Sequence, residues 1–373
     1  MKRTDCSAYI KREDLVLELA NGKSQFISGA EFSDWFSKLD QQPLSFKPHK
    51  PRLIHLLYEA GAFLLGKKPR PMDYYAVDTE FESVSIAQAV ASNFSMQRSF
   101  GPRFGDYLKS FEKVQAHLRA GNAYQVNLTS AFDYEVDPAS DPLRAHGFMF
   151  GSGAGSFAQT AFWPQKSLSF ISNSPETLFT ARATKSGQWR VCSKPIKGTA
   201  VASEAAWSEL QASMKDQAEL LMITDLVRND LNRLSGGQAN VDALKARLDV
   251  PGLVHQYSEV SALVDASTSV GEVIRCLFPG GSITGAPKQR VFDIINEIES
   301  EPREFYCGST LFWDGSGLSC SINIRSGVVN WSDRSARFNA GGGVTVQSEQ
   351  ANEWQELQSK LSSLENALNP KSP

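Results

Sequence analysis

Two short β-like runs, Leu168-Ser169-Phe170-Ile171 and Trp189-Arg190-Val191-Cys192, flank Ser172-Asn173-Ser174-Pro175-Glu176 and a Ser186-Gly187-Gln188 turn. Apolar runs separated by Gly and Ser predict a hairpin. Directly after it comes Ser193-Lys194-Pro195-Ile196-Lys197-Gly198-Thr199. A hairpin of this kind can bring Glu176 and Lys197 to one end of a sheet. An acid and an amine at one site can act as proton donor and nucleophile. Standing alone, the same two charges could equally be a surface ion pair, which is common and weak.

A chain of 373 residues can bury a large core. Its net charge of −3 gives no reason to expect nucleic acid or another polyanion as partner. The five cysteines, Cys6, Cys192, Cys276, Cys307 and Cys320, form no CxxC pair and no even framework, which suits a reducing cytoplasm. Met1-Lys2-Arg3 is followed by Asp5 and mixed polar residues rather than the apolar core of a signal peptide. No apolar run reaches membrane-spanning length. A soluble, cytoplasmic, globular chain without membrane contact is expected.

The first hundred residues read as scaffold. Leu15 to Leu19 predicts a strand, and Leu53 to Leu65 has helical spacing that Lys67-Lys68-Pro69 ends. Phe104 to Ala120 predicts an amphipathic helix, with Tyr107, Phe111, Val114 and Leu118 on one face. Ala123 to Thr129 then alternates like a strand, and Gln125 reads as a polar residue on a solvated face. Gly147 to Phe157 reads as a loop, and Ser203 to Trp207 as a helix start.

Ser213 to Leu234 predicts one helix, with Leu220 to Ile223 deeply packed. Asp216 and Glu219 share a face of it. Carboxylates beside a buried run need partners, and a hard cation such as Mg²⁺ would serve. Glu353 and Glu356 repeat the spacing on the last helix, with Lys360 one turn on. Two acidic pairs on two helices are the ingredients of a shared metal site. Phe278 to Lys288 is a Gly-rich loop entering a helix, Gln289 to Ser300. Amides at a helix start bind anions, but Gly285-Ala286-Pro287 is not the Gly-Lys-Ser/Thr of a nucleotide loop. Arg325 on a predicted strand could fork onto a carboxylate.

Together these stretches, in this order from about Phe104 to Leu364, resemble the chorismate-utilising enzymes. That family includes anthranilate, aminodeoxychorismate, isochorismate and salicylate synthases. The fold that the resemblance implies is α+β: large antiparallel sheets packed as a sandwich, helices outside, the site in a cleft. A single domain over 1–373 is expected, with 104–364 as catalytic core and 1–100 matching weakly. Pro195-Ile196-Lys197-Gly198-Thr199 resembles the aminodeoxychorismate branch, since the anthranilate enzymes carry Ala at Lys197. Relatives that add water carry a Lys base where this chain has Gln125, and Gln cannot take a proton that way. The runner-up reading is an anthranilate synthase component I, releasing anthranilate and pyruvate.

The chemistry implied is replacement of the C4 hydroxyl of chorismate by ammonia, a step towards 4-aminobenzoate and folate. The resemblance assigns Glu176 as general acid and Lys197 as the nucleophile that adds at C2. Lys197 would then need desolvation or a neighbouring cation to be neutral. It implies Mg²⁺ held by Glu219 and Glu356, with Asp216 and Glu353 adjacent or bound through water. Arg325, Tyr306, Lys360 and the Gly342 and Gly343 amides would hold chorismate carboxylates. Gly281, Ser282, Thr284 and His255 would complete the pocket. Leu311 and Gln256 stand where the family usually has Gly and Leu, and Gly147 to Phe157 does not look like a tryptophan-binding segment. None of the five cysteines sits in the Gly-flanked turn of a glutaminase nucleophile. A separate glutamine amidotransferase subunit is therefore expected to supply the ammonia.

Overall fold

The structure, a computed structural model, describes residues 5–236, 238–250 and 253–369. Met1-Lys2-Arg3 and Pro251-Gly252 lie outside the described residues.

Every strand pairing is antiparallel, and the pairings build two sheets. The first runs Ser83–Ile86, Leu15–Ile27, Cys6–Arg12, Phe157–Trp163, Leu168–Ser174, Ser326–Asn330, Ser335–Thr345, Gln125–Val136 and Met96–Phe100. The second runs Ala76–Glu80, Arg52–Leu56, Ser309–Trp313, Leu318–Ile322, Thr177–Ala183, Trp189–Ser193, Leu253–Val264 and Asn240–Val250. Leu15–Ile27 belongs to both, pairing with Ser83–Ile86 at its start and Ala76–Glu80 at its end. Apolar side chains of both sheets meet between them, among them Ala8, Ile10 and Phe170 of the first with Leu53, Val77 and Phe312 of the second. This is the expected α+β sandwich.

Helices cover it. Met214–Ser235 packs on Leu253–Val264, and Gln350–Leu368 on Ser335–Thr345. Phe104–Arg119 forms as its spacing predicts. Met214–Ser235 starts where Ser213 accepts from the Asp216 amide, an N-cap. Its interior is less packed than an unbroken apolar run implies: Leu220 and Ile223 are buried, but Leu221 is 42% exposed. The helix thus lays one stripe on the sheet and keeps the other face free.

Arg52–Leu56 is a strand, not the expected helix, and a short helix, Gly61–Leu64, follows it. All five of its residues are buried, between Ala76–Glu80 and Ser309–Trp313. The strand is covered on both faces, and the short run Leu53, Ile54 and Leu56 carries no alternation that would separate it from a helix. The Ser186-Gly187-Gln188 turn does close a hairpin, but the first arm is Thr177–Ala183. Leu168–Ser174 lies in the other sheet. The chain therefore changes sheets at Pro175-Glu176, and changes back between Leu318–Ile322 and Ser326–Asn330.

Candidate active site

The two crossings lie side by side. The Asn173 amide donates to the Arg325 carbonyl at 2.9 Å, and the Ile322 amide to the Glu176 carbonyl at 3.0 Å. Arg325 is thus in a turn between sheets, at φ +50°, rather than on a continuous strand. Glu176 and Arg325 leave the sandwich at one place because strand pairing ends there.

Both line a cavity of about 580 Å³. Lys197, His255, Ser282, Tyr306, Gly342, Gly343 and Lys360 line it too, as do Asp216, Glu219, Glu353 and Glu356. Residues scattered over the chain are thus brought together as anticipated. Gly281 and Thr284 are not in the lining. A side chain on Gly281 would meet Leu226 of the long helix at 2.3 Å, and Thr284 is wholly buried behind the wall. A second cavity, about 360 Å³ between the sheets near Lys11, Gln159 and Arg182, holds none of the anticipated residues.

Lys197 is aimed by a β-bulge. Strand Ile196–Val201 pairs with Leu253–Val264, and its register shifts between Ile196 and Thr199. Such an extra residue bends the strand and redirects a side chain. Gly198 makes the bulge possible: it has φ +80°, and a Cβ there would meet Leu210 at 2.6 Å. Lys197 is half-buried and makes no ion pair within 4.0 Å among the described residues. The carboxylates of Glu176, Glu219 and Glu356 are within its electrostatic reach.

Glu176 is 7% exposed. Burial pushes its carboxyl above the usual range, and the Ser282 hydroxyl, Lys197 and Lys360 pull only partly back. His255 donates to or accepts from the Thr199 hydroxyl at 2.8 Å. Burial, then Arg325, pushes its pKa down, which leaves a neutral imidazole. Burial pushes the Arg325 guanidinium's pKa down as well.

The acidic pairs face each other from two helices. Lys215 reaches Glu353 at 3.3 Å and Glu219 at 4.0 Å, and Lys360 holds Glu356 at 2.8 Å. Burial raises Glu219, while Lys197 and Lys215 oppose it. Burial also pushes on Glu356, but Lys360, Lys215 and Lys197 together win and lower it. A Cβ on Gly342 would come 3.4 Å from Glu353 and 3.8 Å from Glu356, so both carboxylates approach bare backbone there. Among the described residues no three acidic, His or Cys side chains are gathered closely enough to hold a metal.

The sequence reading missed Lys215 and Asn127, which also line the cavity. Lys215 was legible as the residue four before Glu219 on one helix face. Asn127 was legible as the strand position two after Gln125, on the same side. Gln125 itself is wholly buried rather than solvated, with neither amide atom hydrogen-bonded to a described residue; Gly343 backbone lies against it. Leu311 and Gln256 are buried within the second sheet and do not line the cavity.

Among known proteins, the family model for chorismate binding enzymes matches residues 70–366. Aminodeoxychorismate synthase component 1 of Klebsiella aerogenes is 33% identical over 80% of this chain and 67% of that protein. Anthranilate synthase component 1 of Bacillus pumilus is 30% identical over 70% of this chain and 50% of that one. The chain thus spans between half and two thirds of the length of these two relatives. Anthranilate synthase component I from Streptococcus pneumoniae shares the fold, with a TM-score of 0.75 at 18% identity, over 98% of this chain and 91% of that one. A family match over most of the chain, on a sandwich whose cleft gathers the anticipated residues, leaves one conclusion: the chain belongs to the chorismate binding enzymes.

Proposed function

We propose that this chain is the aminating component of an aminodeoxychorismate synthase: it exchanges the C4 hydroxyl of chorismate for ammonia and keeps the pyruvyl side chain. The observation that carries this is Lys197, an amine without an ion pair among the described residues, sharing a cavity with a buried Glu176. The name of the Klebsiella relative supports it.

Glu176 and Lys197 lie within electrostatic reach of each other. A proton passed from the Lys197 ammonium to Glu176 creates both reactive forms at once. The freed Nζ lone pair adds at C2, the ring double bond shifts, and the C4–O bond breaks. Glu176 gives its proton to the departing hydroxyl, which leaves as water. Ammonia then adds at C4, and the shift runs back to expel Lys197 from C2. Arg325, Lys360 and the Gly342 and Gly343 amides hold the two carboxylates of the substrate. His255, kept neutral, donates without adding charge.

The donor set on the two helices suits a hard cation: carboxylate oxygens only, on opposite walls. Glu219 and Glu356 would hold Mg²⁺, with Asp216 and Glu353 behind them. The ion would supply positive charge for the ring carboxylate. Lys215 and Lys360, which now neutralise these groups, would have to turn aside. Glu356→Ala should cut turnover by about a hundredfold, in line with losses at metal ligands and their supports, and weaken Mg²⁺ binding measured by calorimetry without chorismate. Unchanged activity after EDTA treatment and in that variant would remove the metal from the reaction.

Ammonia is proposed to come from a glutamine amidotransferase subunit that docks on this chain, since neutral ammonia is scarce near pH 7 and local delivery raises its effective concentration. The cytoplasm is the proposed compartment. No described helix is long and apolar enough to cross a membrane. The test is the purified chain with chorismate, Mg²⁺ and either ammonium or glutamine, with products read by mass and fluorescence. Ammonium at raised pH should give aminodeoxychorismate, and glutamine nothing. Fluorescent anthranilate would overturn the assignment, and glutamine use by the pure chain would overturn the partner.

A further inference from the structure

Glu59 is 3% exposed and lies ahead of the residues that the family model matches. It sits in the single turn Tyr58–Ala60 that follows strand Arg52–Leu56, in the part of the chain expected to be scaffold. A buried carboxylate needs donors, and Glu59 has two. Its Oε1 accepts from the Arg303 amide at 2.7 Å, and its Oε2 from the Glu304 amide at 3.1 Å. The Tyr58 amide donates to the Glu304 carbonyl at 2.8 Å, so the peptide groups on both sides of Glu304 are held.

What Glu59 holds is a strained turn. Glu304 and Cys307, neither of them glycine, have φ of +55° and +60°, a conformation that persists only where the surroundings impose it. Between them Tyr306 lines the cavity, 5% exposed, and its amide donates to the Arg303 carbonyl at 3.0 Å. Burial raises the Tyr306 phenol well above its ordinary range, so it stays a hydrogen-bond donor, the form that a carboxylate accepts from. The far end of the turn is tied separately, to the second sheet crossing. There the Cys307 amide donates to the Asn323 carbonyl at 2.7 Å, and the Asn323 amide to the Gly308 carbonyl at 2.9 Å. Among the described residues Glu59 bonds to neither crossing, nor to the strand of Lys197. We propose that Glu59 is a positioning residue for Tyr306: it fixes the near end of the turn, and so sets how firmly chorismate is held, without touching substrate. This rests on the cavity being the chorismate site.

Glu59→Gln keeps the shape but turns an N–H towards one of the two amides, and a buried amide left unmet is costly. With ammonium and Mg²⁺ the variant should raise the chorismate KM about tenfold and leave kcat within about threefold, because other bonds hold Glu176, Lys197 and the far end of the turn. Tyr306→Phe should raise KM likewise, and the double variant should be no worse than the poorer single, since both act through one side chain. A pH profile reads the same link. Glu59 faces the amide and guanidinium of Arg303 and the carboxylate of Glu304 in the turn, Cys307 beyond it, and Tyr75 ahead of strand Ala76–Glu80. Burial pushes its carboxyl up to about 7, and Arg303 pulls only partly back. The carboxylate, with its hold on both amides, therefore forms as pH rises through that value. Chorismate KM should fall severalfold between about pH 6 and about pH 8 in the wild type, and not in Glu59→Gln.

A folded Glu59→Gln enzyme with wild-type KM overturns the proposal. So does a fall in kcat as large as the rise in KM, an additive loss in the double variant, or a pH dependence that survives in Glu59→Gln. If Glu59→Gln does not fold, Tyr306→Phe decides. A KM that no longer changes over the same pH range supports the proposal, and the wild-type dependence overturns it. Wild-type enzyme that makes anthranilate overturns the functional reading alone; the chorismate KM of the same variants is then read from anthranilate formation.

Discussion

Lys197→Ala lowers kcat with ammonium by at least about a thousandfold, the scale of losing a covalent nucleophile. What survives is slow direct addition of ammonia at C4. The fold should hold, because Lys197 is only half-buried and ion-paired to nothing within 4.0 Å among the described residues. Removing it also leaves Glu219 and Glu356 without one of the charges that lower them. The decisive measurement is intact-protein mass spectrometry. Wild-type enzyme quenched with chorismate and Mg²⁺, but no ammonia, should carry an adduct of chorismate less water, and the variant none. An active, adduct-free Lys197→Ala enzyme would sink covalent catalysis here while leaving the cavity as a chorismate site.

Glu176→Gln should cost about a thousandfold, within the range for a general acid. Gln keeps the shape and cannot give up a proton. Stability should move the other way, and the sign follows from the raised pKa. A carboxyl whose folded pKa lies above its unfolded one stabilises fully below the unfolded value and loses that contribution as pH rises through the folded value. For Glu176 burial sets that direction. Relative to wild type, Glu176→Gln should therefore melt higher at neutral and alkaline pH than at pH 4. The converse result, a variant destabilised most at high pH, would mean that the fold favours the Glu176 carboxylate and that burial does not set the direction of its shift.

The amphipathic elements were legible before any coordinates. Phe104–Arg119 and Met214–Ser235 lie on one covered face each, so their periodicity survives in the sequence. Arg52–Leu56 was not legible, because a strand buried on all sides carries no alternation. Most of the site was legible for a different reason. Glu176, Lys197, Arg325 and the two acidic pairs are charged residues in fixed local settings, and those settings carried the family resemblance. Gln125 was misplaced because a polar residue on a strand is usually solvated, and here the Gly343 backbone covers it.

The paired sheet crossings also bear on how the chain comes to be active. Glu176 and Arg325 are far apart in sequence, and the bonds that bring them together, Asn173 to Arg325 and Ile322 to Glu176, form only once both sheets stand in register. Contacts so distant along the chain form slowly, because a long loop must close before anything is gained. Helices and hairpins can mature without them. Neither sheet alone, however well formed, owns a complete site. In folding, the cavity is thus expected to be completed late, and partly assembled chains to lack it.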